Sequence, residues 1–291
     1  MARDPRSQKK GGSPPAGPRP AETRPAQRGQ RLAITIGTAT LAVVTGVAAA
    51  LMVATRAEQP TPAPTANATG DQPAAPAGAL EDGGILIGRD LAPGGEAPTP
   101  DQAVTVEIIS DFLCPACGLL EQLQGETLAE MAQAGEIRLV IHPINWLGGL
   151  NQDYSGRAQT AVVTVATLEP DRFWAFQEAL WANRPPESED GGDLTDAAIA
   201  QLARDVGVSQ ATVDAFADSP AAEWAEWSSD QGRNRISSTP TVYLSDNGSE
   251  PVAWQGWGLA VEDADGNLAY APGDLAAAVA KVQAGQDPNA E

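Results

Sequence analysis

The sequence predicts an α/β domain that hosts a second, all-helical lobe, preceded by one membrane-spanning helix. Three observations carry this expectation. Strand-like runs rich in β-branched residues flank roughly 80 residues of helical pattern, so a helical unit interrupts a sheet. Both cysteines of the 291-residue chain lie in DFLCPACGLLE, residues 111–121, between a strand-like run and a helical one. A stretch of 24 uncharged residues, LAITIGTATLAVVTGVAAALMVAT at 32–55, comes before all of this.

Charge divides the chain. Residues 1–31 carry eight Lys/Arg against Asp4 and Glu22, whereas everything after Arg56 carries nine Lys/Arg against 36 Asp/Glu. So acidic a main body repels phosphate backbones and excludes nucleic acid as a natural partner. The basic head, residues 1–31, is rich in Pro, Gly, Arg and Gln and reads as disordered and cytoplasmic. At about 1.5 Å per residue, residues 32–55 are long enough to cross a hydrocarbon core of roughly 30 Å. Basic residues in front and acidic mass behind orient such a span with the N-terminus in the cytoplasm and the rest outside. A cleaved signal peptide is the rival, although signal cores usually run about 7 to 15 residues. Residues 56–84, dominated by Pro, Ala and Thr, form a linker, and residues 284–291 form a tail.

The folded part spans residues 85–283. Ile85 to Asp90 and Val104 to Ser110 read as strands. Pro115 suits a first helical turn, and leucines at helical spacing run on to Ala134 before Gly135 stops the helix. Ile137 to Ile144 is the next strand, which makes a β-α-β unit around the cysteines. Helical segments then follow at Ser155 to Leu168, Asp171 to Trp181, Thr195 to Val206, Ser209 to Ala217 and Ala221 to Arg235, an insertion over about 154–235. Strands return at Thr241 to Ser245 and Val252 to Gln255, and a helix over Gly273 to Gln283 closes the domain. Glu262 to Asn267 resembles a calcium loop but lacks its glycine position and bidentate glutamate, so it reads as a hairpin turn.

Cysteine chemistry follows from position. A domain of this size needs no staple, and a two-residue spacer closes too short a loop to stabilise much. Two cysteines and one histidine are too few for a structural zinc site. Cys114 stands at the positive end of a helix macrodipole, which lowers a thiol pKa below its free value of about 8.5. Cys117 lies one turn on, within reach of a mixed disulfide held on Cys114. The pair is therefore a candidate for thiol-disulfide exchange, with Pro115 and Ala116 between.

DFLCPAC after a strand, the helical insertion and then STPTVY at 238–243 resemble the DsbA-like branch of the thioredoxin superfamily, in particular its membrane-tethered bacterial forms. The likeness covers about Ile85 to Gln283 and implies a thioredoxin-like fold with an inserted all-helical domain. It also implies that Pro240 is cis and faces the cysteines, that Thr239 offers its backbone to an extended substrate segment, that Cys114 exchanges with substrate sulfur and that Cys117 resolves the intermediate. Two departures bear on this. Ala116 offers no side-chain donor where well-known relatives have histidine, and Ile108 occupies the place of a buried carboxylate that many relatives use as proton relay. Glu107, one residue off, is the candidate relay, and otherwise a solvated strand residue.

Other polar residues carry plainer expectations. Asp111 caps the following helix, His142 is a partly buried strand residue bonded to local backbone, and the seven tryptophans pack in the core. The favoured function is oxidation of cysteine pairs in exported proteins, without a cofactor, followed by reoxidation through a quinone-linked membrane partner that the resemblance implies. A reductase or isomerase, and a tethered binding module with an inert disulfide, remain as alternatives.

Overall fold

Five strands form one mixed sheet in the computed structural model, which describes residues 75–186, 194–262 and 267–290. They are β1 (Ile85–Ile87), β2 (Val104–Ser110), β3 (Ile137–Pro143), β4 (Thr241–Ser245) and β5 (Val252–Ala253), in the order β1-β3-β2-β4-β5. β2 and β3 run parallel across α1 (Pro115–Ala134), the β-α-β unit expected around the cysteines. β1 runs antiparallel to β3 and β4 antiparallel to β2. Central β2 is buried along nearly its whole length, the polar Glu107 and Ser110 included, because both faces of the sheet are covered.

The pleat separates two faces. Val106 and Ile108 of β2 align with Leu139 and Ile141 of β3 and with Leu244 and Val242 of β4, and all six join Leu120, Leu128 and Met131 of α1 in the main core. Leu275 and Val279 of α7 (Leu275–Gln283) complete that layer. The opposite face presents Glu107, Val140, His142 and Tyr243, and a long helix of the insertion lies against it.

That insertion comprises α2 (Tyr154–Leu168), α3 (Phe173–Ala182), α4 (Asp196–Asp205), α5 (Gln210–Asp214) and α6 (Ala222–Arg235). The Thr195 hydroxyl caps α4 by accepting from Ala198 N–H at 3.2 Å, and Gly207 ends it at φ +86°. Two helices are shorter than the periodicity predicts. Residues 170–172 and 215–218 form 3₁₀ turns at the start of α3 and after α5, tightening the chain where Pro170 and the end of α5 break the α ladder. Gly232 of α6 marks a close approach: a Cβ there would meet His142 Nε2 at 2.9 Å and Ile144 Cγ2 at 2.7 Å.

Three differences from the sequence expectations stand out. β1 ends at Ile87 because residues 88–95 fold back, Gly88 N–H donating to Ala92 O at 2.9 Å. α7 begins at Leu275 because Asp274 caps it, its carboxylate accepting from Ala277 N–H at 2.8 Å. Between β5 and α7 lies an extra hairpin, β6 (Gly258–Glu262) and β7 (Leu268–Pro272), whose strands were not separately predicted although a turn near Glu262 was. The described residues belong to one compact unit, Pro64–Glu291. The expected head, membrane span and most of the linker fall outside the described residues, and among those described no helix is long and apolar enough to cross a membrane.

Candidate active site

Chain direction places the cysteines. β2 ends at Ser110, the backbone turns through Asp111, Phe112 and Leu113, and Cys114 takes the N-cap position of α1 with Pro115 at the first helical residue. Both cysteines are free thiols. Cys114 keeps 7% of its surface exposed and Cys117 only 1%, so an incoming sulfur meets Cys114 first.

Their surroundings drive the two thiols apart. The Cys117 thiol, hydrogen-bonded to Cys114, lowers the Cys114 pKa to about 6 against the effect of burial, helped by the Thr239 side chain and by the backbone N–H groups of Cys117 and Ala116. Burial, then the hydrogen bond and charge of Cys114, push Cys117 well above the ordinary thiol value. The arrangement therefore favours the thiolate at Cys114 and the protonated thiol at Cys117. The Ala116 methyl supplies no donor; the Cys117 thiol, the Thr239 side chain and the helix backbone do.

The second motif closes over the first. Thr239–Pro240 is a cis peptide bond, and Cys114 Sγ lies 3.5 Å from the Thr239 carbonyl, 125 residues away in sequence. Cys114, Cys117 and Thr239, whose peptide bond to Pro240 is cis, thus meet at one site.

Asp111 does not cap α1. Its carboxylate is fully buried and accepts four hydrogen bonds: Leu113 N–H and Ser155 O–H on Oδ1, both at 2.7 Å, and Trp146 N–H and Leu147 N–H on Oδ2, at 2.7 and 2.8 Å. Its own N–H points at Cys117 Sγ, 3.5 Å away. One side chain therefore ties the cysteine loop, the loop after β3 and the start of α2 together. Arg184 adds a second tie from the far end of α3, donating to Leu113 O at 3.0 Å across Gly118, where a Cβ would meet Arg184 Nε at 2.9 Å. Phe112 packs on Trp181 with ring centroids 4.5 Å apart.

Glu107 is not a solvated strand residue. It is 6% exposed, and its carboxylate bonds Arg235 through both oxygens, at 2.7 and 2.5 Å, and His142 Nδ1 at 3.1 Å. Burial raises its pKa, but hydrogen bonds from His142 and Arg235 and the charge of Arg235 outweigh this and hold it below the usual range. None of these bonds reaches a cysteine. His142 is fully buried, and its Nε2 meets Ser228 O at 2.9 Å, a contact across 86 residues rather than a local one.

Sequence patterning passed over Arg184, Arg235 and Glu121. Glu121 lies one turn past Cys117, and burial followed by the charge of Glu178 raises its carboxyl to about 7. Spacing from the cysteine was the available signal, since i+4 shares a helix face. Among the described residues no group of three or more His, Cys, Asp or Glu is arranged to hold a metal ion. A cleft of about 840 Å³ opens within the helical lobe between α2, α4, α5 and α6, and neither cysteine lines it.

Fold and site together define a thioredoxin-like domain with an inserted helical lobe and a Cys-Pro-Ala-Cys pair at a helix N-terminus. The chain belongs to the thioredoxin family, whose model matches residues 99–263 and so spans the cysteine motif, the insertion and the Thr239–Pro240 loop. Similar solved structures include MdbA, a thiol-disulfide oxidoreductase from Actinomyces oris, at 21% identity and TM-score 0.50, covering 65% of this chain and 88% of that one. Oxidised DsbA from Mycobacterium tuberculosis gives 27% identity and TM-score 0.48, with 60% and 86% covered. Oxidised BdbD from Bacillus subtilis gives 22% and 0.45, with 62% and 90% covered. No curated protein matches the sequence.

Proposed function

We propose that this protein is a membrane-anchored, extracytoplasmic thiol-disulfide oxidoreductase that oxidises cysteine pairs in exported proteins. The observation that carries the proposal is the divergence of the two thiols, Cys114 at about 6 and Cys117 far above it. A substrate thiolate attacks Cys114 Sγ of the oxidised pair, the Cys114–Cys117 bond breaks, and Cys117 leaves and takes up a proton, as its raised pKa favours. A second substrate thiolate attacks the substrate sulfur of the mixed disulfide and releases Cys114 as a stable thiolate. The substrate has then lost two electrons and the enzyme pair has gained them. Thr239 and Pro240 receive the substrate chain as an added strand. Reoxidation falls to a quinone-linked membrane partner, which a span at residues 32–55 would keep within reach.

The test is the reduction potential of the Cys114/Cys117 pair in the full chain, equilibrated in glutathione buffers. A value from about −120 to −180 mV fits an oxidant, one near about −270 mV turns the direction to reduction, and one below about −300 mV leaves an inert structural bridge.

A further inference from the structure

Residues 236–240 link α6 to β4 and carry Thr239 to Cys114, so what holds this loop also sets the substrate-binding geometry. Its far end is fixed by the sheet: Thr241 pairs with Ile109 of β2, and its hydroxyl donates to Ser238 O at 2.8 Å. The near end is Arg235, the last residue of α6. The Arg235 carbonyl accepts from Tyr243 O–H at 2.8 Å, and its guanidinium lies 5.6 Å from the Tyr243 ring centroid. Both arms of that guanidinium grip Glu107, which stands directly opposite Tyr243 in the β2–β4 register. Asp82 takes a further bond from Nη1 at 3.1 Å, and His142 Nδ1 bonds Glu107 Oε1, which it shares with Arg235 Nη1.

We infer that Glu107 and Arg235, helped by Tyr243, are positioning residues for the Thr239–Pro240 loop, holding it in the frame of the strand that also leads to Cys114. A bidentate fork fixes direction as well as distance, which a single lysine ammonium does not. A buried ion pair seldom stabilises a fold more than apolar residues of the same shape would, so registry is the better account of it. Neither residue touches the reacting sulfurs, and the effect runs through Thr239. The inference rests on the exchange function proposed above.

The experiment compares the full chain with Arg235→Lys, Glu107→Gln and Tyr243→Phe, reading KM and kcat for oxidation of a two-cysteine peptide and the pH midpoint of Cys114 alkylation by iodoacetamide. Positioning predicts that Arg235→Lys and Glu107→Gln raise KM about five- to tenfold with kcat within about twofold, and move the midpoint upward as the Thr239 donor is withdrawn. Tyr243→Phe removes one hydroxyl and buries no unpaired charge, so it stays folded and shifts KM the same way by about two- to threefold. Asp82→Asn, which leaves the fork intact, stays within about twofold of the unchanged protein. Unaltered KM and midpoint in variants with native near-ultraviolet circular dichroism would overturn the inference. So would a kcat lowered more than about twofold with KM unaltered, the signature of a proton relay from Glu107 to the departing Cys117. Lack of Cys114 reactivity in the unchanged chain would instead sink the exchange function itself.

Discussion

Asp111 and Glu107 lie on one stretch of chain, both buried, and are secured in opposite ways. Asp111 satisfies its carboxylate with three backbone N–H groups and one hydroxyl, all neutral. Glu107 relies on a guanidinium and an imidazole. The first gathers loops beneath the cysteines, and the second holds the end of the helix that leads into the opposing loop. The two walls of the site are thus fastened by separate carboxylates, one through four neutral donors and the other through one directional cation.

The largest expected effect breaks the Asp111 side of this comparison. Asp111→Ala strands four donors and is expected to cost about 4 kcal/mol in chemical denaturation, whereas Asp111→Asn keeps one acceptor oxygen and is expected to cost about half as much. Equal losses would mean that the hub works by shape rather than by acceptor count. Glu107→Gln comes next, at about 2 kcal/mol, because the Arg235 side chain is 27% exposed and keeps Asp82 as a partner.

Acid sharpens the contrast further. The Glu107 pKa is lowered in the folded state, so its contribution is fully present above its unfolded value of 4.5 and is lost as pH falls through the depressed folded value. Stability measured below about pH 4.5 should therefore fall less steeply in Glu107→Gln than in the unchanged protein. A matching slope in both would show that Arg235 does not hold the carboxylate ionised.

The Cys114 titration is a finer test. Iodoacetamide should react with a midpoint near pH 6, since thiolate is the nucleophile. Ala116→Gly, the smallest change, should move this midpoint by no more than about 0.3 of a pH unit, because the donors at that position are backbone N–H groups. A larger shift would show that the Ala116 methyl shapes the thiolate pocket.

Much of the fold was legible before the structure. β2 and β4 carry the bounds their β-branched runs predict, and α6 ends at the predicted Arg235. Cys114 at a helix N-terminus followed from Pro115 and the leucine spacing, because a dipole and a two-residue spacer act within one turn. Glu107 and Asp111 were misread for a shared reason. Strand alternation says which way a side chain points but not what will be packed there, and Arg235 lies 128 residues from Glu107 while Ser155 lies 44 from Asp111.

By itself, the sequence determined the strands and helices outside the β6–β7 hairpin, and the cysteine pair with its asymmetry of position at a helix N-terminus, since these depend on residues within a turn or two of one another. Tertiary structure alone decided how far burial separates the two thiols, which donors replace a side chain at Ala116, and which distant arginine claims Glu107. Burial and partner choice are set by what the rest of the chain brings alongside, and that is settled only when the sheet is covered on both faces.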